Sequence, residues 1–328
     1  MELFDVLRCP GCRGVLRAEG AGLLCPACRR AFEVIHGIPD LRPEPPGGEP
    51  RHGEFCLEVI RRWPESSYGE LLALYERDAG DSLQELWARH DAEAAQRGER
   101  RWDEIARYAR AYRVSGASGC TQGPGGVALD IGCGRGSAVF ALARRARLAV
   151  GVDILLTDLL LAKKRFAEAG IANAAFVCAS ALELPFADES FELANATDVI
   201  EHVPDQGRML GEAHRVLRAG GVLFFNSPNR FSVLSREPHV KLWGVGFLPR
   251  RWMEPYVRWR VGKPYRSKRL LGLWELRRLV REAFGPHFAV RCALPRGRLA
   301  RALWRPAEAV VGALLPQHNV MAWKPPRC

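Results

Sequence analysis

The segment 127–136 limits the fold of this chain more than any other part of it. It reads Val-Ala-Leu-Asp-Ile-Gly-Cys-Gly-Arg-Gly, so an apolar run of strand type leads into three glycines, Gly132, Gly134 and Gly136. Glycine allows a tight turn and lets a ligand approach the bare backbone. The helical pattern at 137–147 would then present free backbone N–H groups to that ligand. The segment therefore predicts a strand, a binding turn and a helix of an α/β fold.

A second apolar run, 149–152, ends in Asp153, seventeen residues after Gly136. In nucleotide-binding α/β sheets, a carboxylate about 20 residues beyond a glycine-rich turn accepts hydrogen bonds from both ribose hydroxyls. The turn here is one residue shorter than the dinucleotide fingerprint, and Asp130 precedes it inside the strand. These two details favour a nucleoside cofactor other than NAD.

The turn resembles motif I of the class I S-adenosylmethionine-dependent methyltransferases, whose Asp-x-Gly-x-Gly-x-Gly loop faces the methionine half of the cofactor. Residues 181–192 and 198–203 are similar to the fourth-strand region of the small-molecule, methyltransferase type 11-like branch of that family. Residues 220–230 resemble its fifth strand and the turn that leaves it. The resemblance covers about 127–230. It implies an α/β fold with a Rossmann-like sheet of seven strands, and S-adenosylmethionine as the cofactor.

The resemblance also indicates which residues bind this cofactor. The third strand, 174–180, ends in Ser180, where the family usually has an acid that contacts the adenine amino group, so adenine recognition departs from the family pattern. Asn195 and Ala196 would line the methyl-transfer site. The predicted cofactor-binding residues are Asp130, Gly132, Cys133, Gly134, Gly136, Asp153, Ile154, Ser180, Ala181, Leu182, Asn195 and Ala196.

Four of the ten cysteines form two Cys-x-x-Cys knuckles with twelve residues between them. Two such knuckles can place four thiolates at the corners of a tetrahedron, which is the coordination of structural zinc. A redox dithiol or disulfides are the alternatives, but the doubled spacing and the lack of a secretory signal favour zinc. Residues 32–41 resemble the small zinc-ribbon family that includes activator subunits of methyltransferases. The predicted ligands of a structural Zn²⁺ are Cys9, Cys12, Cys25 and Cys28.

These motifs predict a division of the chain into segments. They are a zinc ribbon at 1–42, a linker rich in Pro and Gly at 43–53, a helical region at 54–115, and the methyltransferase domain at 116–328. Helical periodicity occurs at 82–97 and again at 101–112. These helices either form a lid over the cofactor or cover the edge of the sheet.

The substrate side of the sequence is less regular. The expected closing elements are a helix at 270–284 and strands at 288–294 and 320–324, so 231–269 and 296–315 are insertions beside the end of the sheet where ligands bind. We expect these insertions to form the substrate cap. Between 241 and 305 there are seventeen Lys or Arg against three Glu, with five tryptophans interleaved.

Basic residues mixed with tryptophan suit three partners: RNA, an anionic membrane surface contacted peripherally, or an anionic small substrate. A solvated basic face is the fourth interpretation. The stretch 299–315 fits either an interfacial amphipathic helix or a helix packed on its own protein.

The overall composition suits an enzyme with one large domain and a smaller module. The chain has 328 residues, 48% of them hydrophobic, and a net charge of +11. No stretch reaches the roughly 18 apolar residues of a transmembrane segment, and the first residues lack the basic start and apolar run of a signal peptide. The sequence therefore predicts a cytoplasmic protein without a transmembrane segment.

The candidate catalytic residues follow the fourth strand. S-adenosylmethionine carries an activated methyl group, so transfer needs an aligned nucleophile and a place for its proton. His202 is the candidate general base, because neutral imidazole can take the proton of a hydroxyl near pH 7; a structural role is the alternative. Glu201 and Asp198 orient that ring, hold a divalent ion as in similar quinone O-methyltransferases, or cap the following helix. Arg230 is placed to meet an acidic group of the substrate.

Together these features predict methyl transfer to a small-molecule or lipid-like acceptor, at oxygen. One alternative is an rRNA or tRNA base methyltransferase that binds RNA through the zinc ribbon and the basic cap. Against it, the loop after strand four lacks the Asn-Pro-Pro-Tyr or Asp-Pro-Pro-Tyr signature of amino-directed nucleic-acid methyltransferases. A second alternative is a non-catalytic adaptor. The intact glycine loop and Asp153 argue against it, because a domain without activity need not keep a cofactor site.

Overall fold

The computed structural model describes residues 2–43, 51–79, 93–112, 126–262, 264–265, 268–292 and 312–326. The strands are β1 Arg17–Glu19, β2 Gly22–Leu24, β3 Ala31–Ile35, β4 Ile38–Pro39, β5 Val127–Ile131, β6 Leu148–Asp153, β7 Ala174–Cys178, β8 Phe191–Ala196, β9 Leu217–Pro228, β10 Phe288–Cys292 and β11 Gln317–Trp323. The helices are α1 Leu3–Val6, α2 Glu54–Arg62, α3 Tyr68–Ala79, α4 Ala94–Tyr112, α5 Ser137–Ala143, α6 Leu156–Glu168, α7 Gln206–Val216, α8 Arg250–Val261 and α9 Leu273–Phe284.

The large sheet has seven strands in the order β10-β11-β9-β8-β5-β6-β7. Strands β5 to β9 pair in parallel, whereas β11 lies antiparallel between β9 and β10. This confirms the predicted Rossmann-like sheet. The chain moves outward from β5 to β7 and then returns to β8 on the other side, so the carboxyl ends of β5 and β8 border a crevice where ligands bind in such sheets.

Helices cover both faces of this sheet. Strands β5 and β8 are buried along their whole length, as expected for central parallel strands. Leu129 belongs to the hydrophobic cluster that contains α7 and α9, whereas its neighbour Ala128 belongs to the cluster that contains α4, α5 and α6. Alternate residues of β5 therefore bind the two helical layers to the sheet.

The structure departs from the expected boundaries where polar residues are buried. Strand β11 begins at Gln317, three residues before the predicted start, because Gln317, His318 and Asn319 pair with the last residues of β9. Helix α5 ends at Ala143, and the N–H of Arg147 donates to the carbonyl of Gly126 as the chain turns toward β6. The insertion at 231–269 contains α8. Most of the predicted linker at 43–53 and most of the insertion at 296–315 lie outside the described residues.

The small N-terminal sheet, β1-β2-β3-β4, packs against the edge of the large one. The N–H of Leu41 donates to the carbonyl of Cys178 at the end of β7, at 2.7 Å, and Leu7 forms an antiparallel bridge with Phe186. Buried residues on both sides of this contact belong to one hydrophobic cluster. The ribbon thus protects the edge strand β7 from pairing with another chain.

None of the helices in the described ranges combines the length and the apolar composition that crossing a bilayer requires.

Candidate active site

The glycine loop after β5 adopts a conformation that only glycine accommodates easily. Gly132, Gly134 and Gly136 have φ angles of +67°, +48° and +77°, in the left-handed region. A Cβ atom on Gly132 would lie 2.4 Å from a side-chain carbon of Val199. The sequence therefore fixes this loop through backbone conformation and through the close approach of the segment after β8.

Asp130 and Asn195 lie side by side at the ends of β5 and β8. The amide of Asn195 donates to Asp130 Oδ1 at 2.7 Å and accepts from the hydroxyl of Thr197 at 2.9 Å. Burial raises the pKa of Asp130 to about 7, and the nearby charge of Asp153 acts in the same direction. The site therefore holds a carboxyl group that can exchange a proton near neutral pH.

A cavity of about 380 Å³ opens beside the glycine loop. Of the residues predicted to bind the cofactor, Asp130, Gly132, Cys133, Gly134 and Asn195 line it. The other residues of its wall are Tyr75, Arg97, Gly98, Arg101, Arg135, Ser137, Ala138, Asp158, Thr197 and Asp198. Tyr75, on α3, and the residues of α4 were missed by the sequence analysis, because nothing local shows that these helices reach the glycine loop.

Helix α4 approaches the loop closely because it contains a glycine. A Cβ atom on Gly98 would lie 2.1 Å from the carbonyl oxygen of Ser137, in the first turn of α5. The helical periodicity at 82–97 and at 101–112 predicts two helices that are separated at 98–100. The structure instead has one continuous helix in which the glycine permits contact, and it places Arg97 and Arg101 in the cavity wall.

The remaining predicted cofactor residues lie outside this cavity. The carboxylate of Asp153 accepts from the N–H groups of Gly134 at 2.8 Å and Leu155 at 2.9 Å, and burial raises its pKa. It therefore braces the glycine loop from the adjacent strand end. The predicted residues Gly136, Ile154, Ser180, Ala181, Leu182 and Ala196 are likewise absent from the cavity lining.

A second cavity, of about 400 Å³, lies beyond the end of β8. It is lined by strand ends and by the insertion, including Glu201, His202, Arg230 and His239. Asp198 lines both cavities. The two spaces therefore meet at one carboxylate.

Asn226 holds Asp198 at this junction. Its side-chain oxygen accepts from the N–H of Asp198 at 2.6 Å, and its amide donates to Asp198 Oδ1 at 2.7 Å. Asp198 has φ +57°, a conformation that costs energy for a residue other than glycine. Two hydrogen bonds from the end of β9 support it.

His202 is neutral at pH 7 but is already hydrogen-bonded. Burial lowers its pKa to about 4, and the charges of Lys268 and His239 act in the same direction. Nδ1 of His202 lies 2.7 Å from Nζ of Lys268. With the ammonium as donor, the ring proton of the neutral imidazole lies on Nε2. In this arrangement Nε2 of His202 can only donate a hydrogen bond, whereas a general base needs a free ring nitrogen.

Glu201 is the other predicted catalytic residue, and it is buried. Burial raises its pKa to about 7, and Asp198 adds to the effect. Oε1 lies 3.9 Å from Nε2 of His202, and Oε2 is buried without a hydrogen-bond partner among the described residues. Such a group has a strong tendency to acquire a proton or a ligand.

Glu201, His202 and His239 form a group that could hold a metal ion, with their ligand atoms all within 4.8 Å of one another. Carboxylate and imidazole ligands suit several divalent ions. His239 comes from the insertion and was not predicted. Its Nδ1 lies 2.6 Å from Oε1 of Glu237, and Oε2 of Glu237 accepts from the N–H of Val240 at 2.6 Å.

Arg230 lines the second cavity as predicted, but its guanidinium braces the insertion. Nε donates to the carbonyl of Gly246 and Nη2 donates to the carbonyl of Leu248, both at 2.8 Å. The exposed cations Arg236 and Lys241 also belong to the cavity wall. They are better placed than Arg230 to meet an acidic group of a substrate.

The four cysteines of the ribbon converge, with all sulfur atoms within 4.8 Å of one another. The Sγ atoms of Cys9 and Cys28 are 3.6 Å apart, and those of Cys12 and Cys25 are 3.4 Å apart. Zn–S bonds of about 2.3 Å with tetrahedral angles place sulfur atoms ~3.8 Å apart. The cluster is therefore compatible with a zinc ribbon.

Comparison with known proteins agrees with this geometry. Residues 129–225 match the family model of a methyltransferase domain. The chain is 34% identical over 126 residues to the ubiquinone biosynthesis O-methyltransferase of Hahella chejuensis, a match covering 36% of this chain and 52% of that protein. It is 37% identical over 97 residues to methyltransferase GfsG of Streptomyces halstedii, covering 29% and 35%. The chain thus spans about half the length, or less, of these curated relatives.

Among solved structures, the chain resembles phosphoethanolamine N-methyltransferase 2 of Haemonchus contortus in complex with S-adenosylmethionine, with a TM-score of 0.44 and 18% identity over 62% of this chain and 50% of that one. That likeness is too weak to bear on function. The matched residues include the glycine loop, Asp153 and the end of β8. The chain therefore contains a methyltransferase domain, and the sheet around it has the fold of the class I family.

Proposed function

We propose that this protein transfers a methyl group from S-adenosylmethionine to an oxygen atom of a small or lipid-like acceptor. The observation that carries the proposal is the pair of cavities that share Asp198 at the end of β8. One is bounded by the glycine loop and the other by the insertion. Two small-molecule sites that meet at one residue are what a direct transfer between cofactor and acceptor needs.

The residues of the first cavity fit the methionine half of the cofactor, which carries both an ammonium and a carboxylate. Its wall contains three arginines, Arg97, Arg101 and Arg135, and three aspartates, Asp130, Asp158 and Asp198. Cations and carboxylates on the same wall can satisfy a zwitterion. When bound, S-adenosylmethionine supplies an activated methyl group.

The adenosine half is proposed to lie along the ends of β6 and β7. Each oxygen of Asp153 already accepts one backbone N–H, and a carboxylate oxygen can accept a second hydrogen bond. Asp153 can therefore hold the loop and accept from ribose hydroxyls together. We assign the adenine side to Ile154, Ser180, Ala181 and Leu182.

Proton removal from the acceptor is assigned to Glu201, with His202 as its partner. Glu201 has a pKa of about 7, so near neutral pH a large fraction is ionised and can take a proton from a hydroxyl. His202 can orient the acceptor oxygen by donating from Nε2. This assignment reverses the roles expected from the sequence, because Lys268 occupies the other nitrogen of His202.

A divalent ion held by Glu201, His202 and His239 is the competing account of the same group. Such an ion would bind the acceptor oxygen directly and favour its ionised form. The test is treatment with a chelator that is too weak to remove zinc from a Cys₄ site. Activity that survives this treatment supports the proton-transfer account. Loss of activity that returns with added Mg²⁺ or Mn²⁺ supports the ion.

The acceptor class is tested by methyl tracing. The purified protein and labelled S-adenosylmethionine are incubated with an unmethylated cell extract, and the organic-soluble, small aqueous, RNA and protein fractions are separated. We expect label in the organic or small aqueous fraction, and none with a Glu201→Gln variant that still binds the cofactor. Label in RNA that ribonuclease removes would overturn the proposal. Failure of the wild type to bind the cofactor would favour the non-catalytic adaptor.

We also propose that the four ribbon cysteines hold a structural Zn²⁺ ion. Four protein ligands complete a tetrahedral site and leave no position for chemistry. A cytoplasmic location stays a prediction from the sequence.

A further inference from the structure

Helix α8, in the insertion, has a second apolar stripe that the described part of the protein leaves exposed. Met253 and Val257 are buried and pack with Val245 and Tyr265. Trp252 and Trp259 are 56% and 76% exposed. At about 100° per residue, the tryptophans lie nearly in line, roughly 130° around the axis from the buried pair. The helix therefore presents one apolar face to the protein and another to its surroundings.

Arginines flank this outer stripe on both sides. At the same 100° per residue, Arg251 and Arg258 lie on one side of the stripe and Arg260 lies on the other. The guanidinium of Arg260 lies 5.5 Å from the ring centroid of Trp259. Helix α8 contains four arginines and one glutamate, so its net charge is positive. The stripe is thus apolar along its centre and cationic at its margins.

The start of α9 adds a third exposed indole. Trp274 is 75% exposed, and the guanidinium of Arg277 lies 5.7 Å from its ring centroid. An ion pair of 2.7 Å between Arg250 and Glu275 joins the beginnings of α8 and α9, but Arg250 lies on the side of α8 opposite the stripe. Trp274 is therefore a separate exposed indole. We call Trp252 and Trp259, together with Arg251, Arg258 and Arg260, the indole surface.

The chemistry of the indole surface matches the headgroup region of an anionic bilayer. Tryptophan is enriched at membrane–water interfaces, where its apolar ring and its N–H group are both satisfied. Arginines attract anionic lipids, with each cation near the surface contributing about 1 kcal/mol. A helix with aromatic residues on one face and arginines at its margins is typical of segments that lie in the interface plane.

The other occupants fit less well. Single-stranded RNA is bound in a positively charged groove with aromatic rings that stack on bases, whereas Trp252 and Trp259 project from the outer side of a helix. In a two-fold interface between two copies of the chain the same surface meets itself, so its arginines would oppose like charges, which is unfavourable. Charge complementarity therefore favours an anionic lipid surface over RNA or a second copy of the chain.

We propose that the indole surface binds the protein peripherally to anionic membranes. The same insertion supplies Glu237, His239 and Val245 to the wall of the second cavity. Membrane binding would thus place the second cavity near the bilayer, where a lipid-like acceptor is concentrated. The proposed membrane contact is inferred from the exposed residues alone and does not depend on the proposed methyl transfer.

The test uses flotation of the full-length protein with vesicles of phosphatidylcholine alone or of phosphatidylcholine with phosphatidylglycerol. We expect binding to the anionic vesicles only, weakened by salt because exposed charges are screened. In the double variant Trp252→Ala, Trp259→Ala, binding should fall at least about tenfold, since an interfacial helix binds through its buried apolar area. The matched control is Phe4→Ala, Val15→Ala, which removes two exposed apolar residues of the ribbon and should bind like the wild type.

A far-ultraviolet circular dichroism spectrum and binding of S-adenosylmethionine check that each variant is folded. Vesicle binding that is absent in the wild type, or equal in the wild type and the tryptophan variant, would overturn the proposal. So would self-association that the tryptophan variant abolishes while neither protein binds vesicles, or tight binding of an RNA homopolymer lost in the same variant. Because these readouts need no methyl transfer, failure of the membrane contact and failure of the proposed activity are distinguishable.

Discussion

At the residue scale, the site contains two carboxyl groups whose pKa values burial raises to about 7. Asp130 and Glu201 both have a pKa of about 7, mainly because they are buried. They serve different cavities, since Asp130 lines the first and Glu201 the second. Groups that titrate near the working pH of an enzyme are typical of sites that bind charged ligands or transfer protons.

Glu201→Gln tests proton removal. We expect kcat to fall at least about 100-fold, the low end for loss of an acid–base group. The wild-type rate should rise with pH through about 7 as Glu201 ionises, and the residual rate of the variant should lose this rise. Glu282→Gln is the control, since Glu282 is exposed and pairs only weakly with Arg278 on α9. An unchanged pH profile in the Glu201 variant would assign the proton to another group.

The same substitution has a separate effect on stability. A carboxyl group with a raised pKa binds its proton more tightly in the folded state. Its contribution to stability is therefore fully present below its usual pKa of 4.5 and is lost as the pH rises through about 7. Thermal melts between pH 5 and pH 8 should show a smaller loss of Tm in Glu201→Gln than in the wild type. This readout holds whether or not the protein is active.

Asp130 gives a prediction about cofactor binding. A cation bound next to Asp130 would lower its pKa from about 7, so a fraction of a proton should be released when S-adenosylmethionine binds at pH 7. Calorimetry in two buffers of different ionisation enthalpy measures this release. It should be reduced in Asp130→Asn and kept in Asp103→Asn, which alters an exposed carboxylate on α4. Equal release in both variants would place the proton elsewhere.

At the element scale, α4 shapes the first cavity because a glycine lets it touch α5. The contact between Gly98 and the carbonyl of Ser137 places Arg97 and Arg101 beside the glycine loop. Of the two roles predicted for the N-terminal helices, we propose that α3 and α4 close the cofactor site, because Tyr75, Arg97 and Arg101 line the first cavity. The predicted helical segment 82–97 lies mostly outside the described residues.

Gly98→Ala separates helix propensity from packing. In an exposed helix, alanine in place of glycine stabilises by about 1 kcal/mol. Here the new Cβ would lie 2.1 Å from a backbone oxygen, so α4 must move away from α5. We expect a lower Tm and about tenfold weaker cofactor binding. Gly69→Ala in α3 is the matched control, because its Cβ meets nothing within 4 Å. Equal behaviour of the two variants would exclude the packing explanation.

At the scale of the whole molecule, the ribbon and the large sheet share a core. The N–H of Arg8 donates to the carbonyl of Pro185 at 2.9 Å, and the N–H of Ala187 donates to the carbonyl of Val6 at 2.8 Å. Arg13 pairs with Glu212, which also accepts from the N–H of Leu184 at 2.9 Å. The ribbon therefore holds the loop that follows β7, on the side assigned to adenine.

Loss of the ribbon metal should weaken cofactor binding. Structural zinc contributes folding free energy to small modules, and the ribbon supports the loop that contains Ser180 to Leu182. We expect the exposed-ligand variant Cys12→Ser to lose zinc, melt at a lower temperature and bind S-adenosylmethionine more weakly. Metal analysis, thermal melts and calorimetry measure these effects. Cys56→Ser, at a half-buried thiol outside the knuckles, is the control. Unchanged affinity in zinc-free protein would show that the ribbon and the cofactor site are independent.

Local physical chemistry allowed much of this molecule to be predicted. The glycines at 132, 134 and 136 permit the left-handed backbone of a tight turn, and mostly apolar runs such as 127–131 become central strands because both of their faces can be buried. The paired cysteine knuckles likewise carry their geometry in their spacing. The start of β11 was predicted too late because His318 and Asn319 are polar but buried, and their partners lie on another strand.

The sequence by itself determined the binding loop, the central strand that leads into it and the candidate cysteine cluster, because each follows from residue types and spacing within a short segment. Only the tertiary structure decided which side chains surround the two cavities. Tyr75, Arg101, His239 and Lys268 come from separate elements, and their approach depends on packing such as that of Gly98. The tertiary structure also decides where the protons lie. Burial raises the pKa of Glu201, and Lys268, from another segment, is hydrogen-bonded to Nδ1 of His202.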